Sequence, residues 1–461
     1  MDDDARRGET AAVRLLRGVP LAKALDTADP RAWTAFDRGA REVLRYRSPL
    51  PPSVTGDAAE ARLALALCHP DGRVREAALD EVVGHPVLLP LLVVRAGDWV
   101  APVRERARRV LEEVLDVKTA VALAPVILRV GRRERGAYGV ELLGGVLRRA
   151  PRERVLPLHT HTDRTVRRFA FRLAVEEGLL SPGELARRAS WDDDAVVQTL
   201  CSDAAVAAVA SEGDWDDVLE PLLDARNPRA RAAGVTALRR AGRPERAVRF
   251  LADRAAVVRA CARYVVRQHG TDPLPWYRQR CADPGVPPGA VIGLAECGQR
   301  ADGALLGTLL GHPEPRVRAR AVAGLRTLDM TDVARLLPLL DDPAPGVVRE
   351  TATALLPSAG VLPDGPLMTR LGVEWPRQVR VAAFRLLDAR GGIVGLRAAV
   401  ALLADPDDKL RAWAGQSVQR WHPAPGAEPG DPEVGELLDR ARHLFSEYVL
   451  KRRKWEAGLS A

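Results

Sequence analysis

One short pattern returns twelve times along this 461-residue chain, at intervals averaging about 31 residues. It reads turn, apolar residue, usually Arg, small residue, aliphatic. Clear copies are HPDGRVREAAL at 69–79, VRERARRVL at 103–111, HPEPRVRARAV at 312–322, DDPAPGVVRETATAL at 341–355 and DPDDKLRAWA at 405–414. A repeat of this length is one supersecondary unit that cannot bury its apolar face alone, so neighbouring copies must stack. Length by itself would suggest two to four globular domains. A repeat array escapes that rule, because its core grows in one dimension.

The Arg slot is read at Arg75, Arg104, Arg135, Arg167, Gln198, Arg231, Arg259, Gly289, Arg318, Arg349, Arg380 and Arg411. The residue before it is apolar in most copies (Val74, Val103, Val317). A small residue follows at +3 (Ala78, Ala107, Ala321) and an aliphatic at +7 (Val82, Leu111, Leu325). These offsets are four apart and fall on one stripe of a helix, and the small middle residue admits a close neighbour. Turns precede the stripe, often as His-Pro, Asn-Pro or Asp-Pro (His69-Pro70, Asn227-Pro228, Asp342-Pro343). Proline disfavours helix in the residue before it and suits a first helical turn, so it ends one helix and starts the next. A second amphipathic segment lies upstream of each turn, as in PVLLPLLVVRA at 86–96 and DVARLLPLL at 332–340. Each repeat is therefore expected to be helix A, a short turn and helix B. No alternating Val/Ile/Thr run bounded by hairpin turns argues for strands.

The turn–Val–Arg–x–x–Ala–x–x–x–Leu core resembles the HEAT repeat family, in particular the bacterial HEAT-like or PBS-lyase-type variety, over residues 58–421. The resemblance implies an all-α fold: a right-handed superhelical α-solenoid of about twelve two-helix repeats with helical caps. It also implies that the B helices line the concave side. The chain is then read as an N-terminal helical cap at 1–57, a solenoid at 58–422, a Pro/Gly linker at 423–432 and a C-terminal amphipathic capping helix at 433–461. The copies around Gln198 and Gly289 depart from the core, and Glu296 falls where an aliphatic is expected, so distortion is anticipated there.

Net charge is +8, from 69 basic and 61 acidic residues, and the basic residues are almost all Arg. With abundant Ala, Gly and Pro this matches the coding bias of a GC-rich bacterial genome, so the charge alone does not point to nucleic acid. No apolar run reaches the roughly 18 residues of a membrane span. The acidic start MDDDARRGET does not read as a secretory signal. Five dispersed cysteines without a C-x-x-C pair read as reduced thiols of a cytoplasmic protein.

Two sets of arginines stand out. The slot set (Arg75, Arg104, Arg167, Arg231, Arg259, Arg318, Arg349, Arg380, Arg411) is expected to be structural, pairing with turn aspartates while the stems pack on the A helices. A second set on the B helices (Arg168, Arg172, Arg239, Arg240, Arg263, Arg267, Arg326, Arg385) is the candidate binding face, because several B segments carry Arg and no Asp or Glu. Such a face suits an acidic protein segment or nucleic acid. Trp99, Trp191, Trp215 and Trp375 lie near turns, where they either anchor a partner or seal the seam between repeats. In HTHTD at 159–163, Asp163 or Thr162 is a plausible N-cap, and a metal site would require His159, His161 and Asp163 to converge. KRRK at 451–454 reads as cations favoured at a helix C-terminus.

No P-loop, G-x-S-x-G, H-E-x-x-H or Rossmann fingerprint occurs. Among enzymes with this repeat, the di-iron deoxyhypusine hydroxylases use His-Glu pairs, and this chain has no His-Glu dipeptide. No residue aligns with the catalytic Asp of the alkylpurine DNA glycosylases, and nothing marks a bilin site. The expectation is a non-catalytic scaffold without metal or cofactor, binding a protein partner along the B-helix face. A nucleic-acid-binding protein with a basic groove, glycosylase-like in the extreme, is the alternative.

Overall fold

The computed structural model describes residues 3–45, 57–209, 215–423 and 430–459. The Pro-rich connection at 48–57 therefore lies almost wholly outside the described residues, and residues 424–429 of the linker at 423–432 lie outside them too. The chain divides into two compact bodies, Met1–Gly234 and Val235–Ala461. Each is an all-α solenoid, and no strand occurs among the described residues.

Helix pairs run from Asp57–Leu67 with Gly72–Ala78 to Gly392–Ala401 with Asp408–Arg420, twelve in chain order. Within the first body, A helices stack on A helices (Leu89–Arg95 on Val117–Val130) and B on B (Arg164–Glu176 on Ala195–Ala208). Within the second, the B helices Pro288–Cys297, Pro315–Thr327, Pro345–Leu355 and Arg377–Arg390 form one column. The expected stripe is the core: Val103, Ala107 and Leu111 are buried, as are Val317, Ala321 and Leu325.

B helices start where the turn supplies a cap. Asp71, Asp163, Asp194 and Asp407 each accept a backbone N–H of the first turn, and a residue four after the cap occupies the slot. Measured this way, three copies differ from the sequence reading. Arg135 precedes its helix, which is capped at Gly136, so Val140 holds the slot. The helix beginning at Pro288 puts Val291 there, not Gly289. Pro345 starts its helix, which puts Val348 in the slot and leaves Arg349 one position beyond it, exposed. In the last two copies the cause is local: proline at the first helical position fixes the start, and the Arg or Gly register follows from it.

Three helices precede the array: α1 (Asp3–Leu16), α2 (Leu21–Ala24) and α3 (Pro30–Arg45). α1 and α3 cross with their backbones in contact. A Cβ on Gly8 would meet the Ala35 carbonyl oxygen at 2.0 Å, and one on Gly39 would meet the Gly8 carbonyl carbon at 2.2 Å. α1 packs on Asp57–Leu67, whereas α3 runs on to the A helices of the second and third repeats. At the other end the expected single capping helix is two, Pro432–Arg440 and Glu447–Glu456, because Ser446 caps the second. Arg453 Nη2 donates to the Gln419 carbonyl and Arg397 pairs with Glu433, tying this segment to the last repeat.

Candidate functional site

The slot arginines act on the turn. Arg75 Nη1 donates to the carbonyls of His69 and Pro70 (2.7 and 2.8 Å), and Arg318 Nη1 to those of His312 and Pro313 (2.8 and 3.1 Å). Arg104, Arg167, Arg231, Arg259, Arg380 and Arg411 reach back in the same way. These are carbonyls left without an intrahelical partner as helix A ends. The rest of the guanidinium faces the next repeat. Arg75 grips Asp98 with two nitrogens at 3.0 and 2.9 Å, Arg318 grips Asp342 at 2.7 and 2.8 Å, and Arg380 donates to Asp405 at 3.2 Å. Bidentate charge-assisted pairing of this kind fixes geometry as well as adding energy.

Gln198 preserves the arrangement without charge. Its amide nitrogen donates to the Asp192 carbonyl, and its oxygen accepts from Asn227 at 2.5 Å. No distortion is needed there. In the Gly289 copy, Glu296 is not a misplaced core residue but the carboxylate that receives Arg259 and Arg263.

In many copies the turn residue six before the slot has a matching role. Asp98, Asp342 and Asp405 each accept the N–H two residues on, forming Asx-type turns. His69, His161 and His312 do the same through Nδ1. His161 and His312 follow repeats whose slots are Val140 and Val291, so no guanidinium arrives to need a carboxylate. At Val140–His161 and Val291–His312 this pairing of slot with following turn was readable in the sequence, once the slots were counted from the caps. It also dissolves the metal reading of HTHTD. His161 closes a turn, Asp163 caps a helix, and His159 is buried against Phe171 with ring centroids 4.6 Å apart. Among the described residues no group of three or more His, Cys, Asp and Glu is placed to hold a metal. Burial raises the thiols, Cys201 and Cys281 each to about 12, which suppresses the nucleophilic thiolate.

The candidate binding arginines do not form one uniform surface. Arg263 is buried against Glu296 (2.7 Å) and cannot receive a partner. Arg168 is held by Asp194 through two bonds, 3.0 and 2.8 Å. Arg385 donates to Thr353 and Arg239 to the Tyr264 hydroxyl. Arg172, Arg240, Arg267 and Arg326 are exposed. Of the tryptophans, Trp215 is buried, while Trp191 is 64% exposed and Trp99 54%. Trp99 lies under the guanidiniums of Arg41 and Arg75, at 3.9 and 4.4 Å from its ring centre, so it also seals a seam. The KRRK cations are paired: Lys451 with Glu447, Arg452 and Arg453 with Glu456, Lys454 with Asp439.

One cluster was invisible in the sequence. Asp37 of α3 lies against Arg95 and Arg41, with Arg133 at 4.0 Å. Arg95 also pairs with Asp98 at 2.8 Å, joining α3 to the first rungs of the slot ladder. Burial pushes the Asp37 carboxyl up, but Arg95 and Arg41 outweigh it and hold the group below its ordinary value. Arg41 is one helical turn from Asp37, but Arg95 and Arg133 are more than fifty residues away, and no local pattern links them to it.

No protein-family model matches the sequence, and neither does any curated protein. Solved structures that it resembles include Kap121p bound to RanGTP (13% identity, TM-score 0.33, over 86% of this chain and 51% of that one). Kap121p bound to Pho4p is another (14% identity, TM-score 0.30, over 90% of this chain and 53% of that one). A third is the Escherichia coli protein YibA (14% identity, TM-score 0.25, over 63% of this chain and 98% of that one). The chain spans about half the length of the Kap121p chains it matches. No helix among the described residues is long and apolar enough to cross a membrane.

Proposed function

We propose that this chain is a HEAT-like, non-catalytic cytoplasmic scaffold that binds a protein partner. The observation that carries the reading is where its polar chemistry goes. Buried charges and histidines close turns and join repeats, whereas exposed arginines remain on the outer surfaces of a repeated, pre-formed array. A surface already formed within each body loses little order on binding. Arg172, Arg240, Arg267 and Arg326, rather than the buried Arg263, are among the residues of the B helices that a partner could reach.

The test is affinity capture with the full chain, with and without nuclease, at low and moderate salt. A stoichiometric protein partner that survives both treatments is expected. Recovery of nucleic acid alone, lost steeply as salt rises, would replace this reading with the nucleic-acid one.

A further inference from the structure

In the second body a groove of about 670 Å³ opens where three successive B helices begin: Pro288–Cys297, Pro315–Thr327 and Pro345–Leu355. Arg316, Arg320 and Arg349 line it, all exposed, above a floor that includes Ala319, Ala344 and Gly346. Glu350 is the one acidic wall residue, and it stands 3.9 Å from Arg349. Two of the three slots here are Val291 and Val348, and the register shift that buries Val348 is what delivers Arg349 to the groove. The helices starting at Pro288 and Pro345 have no side-chain cap, so their first N–H groups add positive potential to that of the arginines.

Resting on the scaffold reading, we propose that this groove receives an Asp/Glu-rich segment of the partner, its carboxylates on Arg316, Arg320 and Arg349. Charge complementarity is one support. The other is internal: in the first body, arginines of the repeats, Arg95 and Arg133, already face a carboxylate from another segment, Asp37 of α3. Single-stranded nucleic acid fits less well, because it needs aromatic platforms for its bases and no aromatic residue lines the groove.

The probe is fluorescein-labelled decaglutamate, with anisotropy read on the full chain at about 50 and 300 mM salt. Binding at low salt is expected to fall about tenfold or more in R316E/R320E/R349E, and less than about twofold in R73E/R109E/R149E, exposed arginines outside the candidate binding set. Should the reversal variant not fold, R316Q/R320Q/R349Q keeps the side-chain size and is expected to lose about fivefold. Equal loss in both sets, or no loss in the groove set, would overturn the site. Tighter binding of a dT12 oligonucleotide, abolished by the same groove variant, would overturn the acidic-peptide assignment. A discrete partner still captured by the groove variant would leave the scaffold standing and remove only the groove.

Discussion

The two bodies handle the ends of their helix pairs differently. In the first, α3 lies over the A-helix ends of the second and third repeats. Asp37 faces Arg95, Arg41 and Arg133, Arg129 donates to Thr34 at 3.0 Å, and the slot ladder runs into the same cluster through Asp98. In the second, between Pro288 and Glu350, the arginines around the helix starts face a groove. One repeat chemistry therefore yields a closed, buried ion network in one place and an open basic concavity in the other. What differs is the identity of the slot residue and whether another segment of the chain supplies carboxylates.

The closed network should break most severely. Asp98 is buried and compensates two buried guanidiniums, Arg75 and Arg95. Asp98→Ala is expected to destabilise the first body by roughly 3–5 kcal/mol, seen as earlier denaturant unfolding and early amide exchange in Gly72–Val114. A mild effect would mean that the network is not a unit.

Next is the ladder in the second body. Arg318→Met strands the Asp342 carboxylate and two turn carbonyls, and should cost about 2 kcal/mol. The neutral Gln198–Asn227 rung suggests a sharper version. R318Q/D342N should be more stable than the sum of its single variants predicts, with a coupling of about 0.5–3 kcal/mol. Strict additivity would deny that the rung is one interaction.

A pH dependence is expected at α3 without mutation. The folded pKa of Asp37 is lowered, so its stabilisation is fully present above the ordinary carboxylate range and is lost as pH falls through the folded value. Amide protection of Pro30–Arg45 should therefore decline on acidification, and Asp37→Asn should flatten that decline. An unchanged pH profile in the Asn variant would contradict the assignment. The smallest effect belongs to a cap: Asp163→Ala removes the acceptor for Thr165 N–H and should cost about 1 kcal/mol in a thermal melt. Added zinc should not alter that melt.

Much of the architecture was legible because it is local. The stripe Val103–Ala107–Leu111 and the prolines of the turns dictate helix pairs through spacing alone. Register was legible only in part. Reading the slot from the Arg misplaced it at Arg135, Gly289 and Arg349, because the helix start, set by Pro288 and Pro345 in the last two, decides which residue lies four beyond the cap. Exposure was not legible at all. Arg263 and Arg267 are one helical turn apart, yet Glu296, on the next B helix, buries the first and leaves the second exposed. The Asp37 cluster was hidden for the same reason, since Arg95 and Arg133 reach Asp37 only through folding.

Hydrogen–deuterium exchange of the full chain, with and without decaglutamate at low salt, tests the contrast between the two bodies most directly. The account predicts added protection confined to the first turns of Pro288–Cys297, Pro315–Thr327 and Pro345–Leu355, with the ends of Leu89–Arg95 and Val117–Val130 unchanged beneath α3. Protection absent from those first turns, or spread evenly over both bodies, would contradict it.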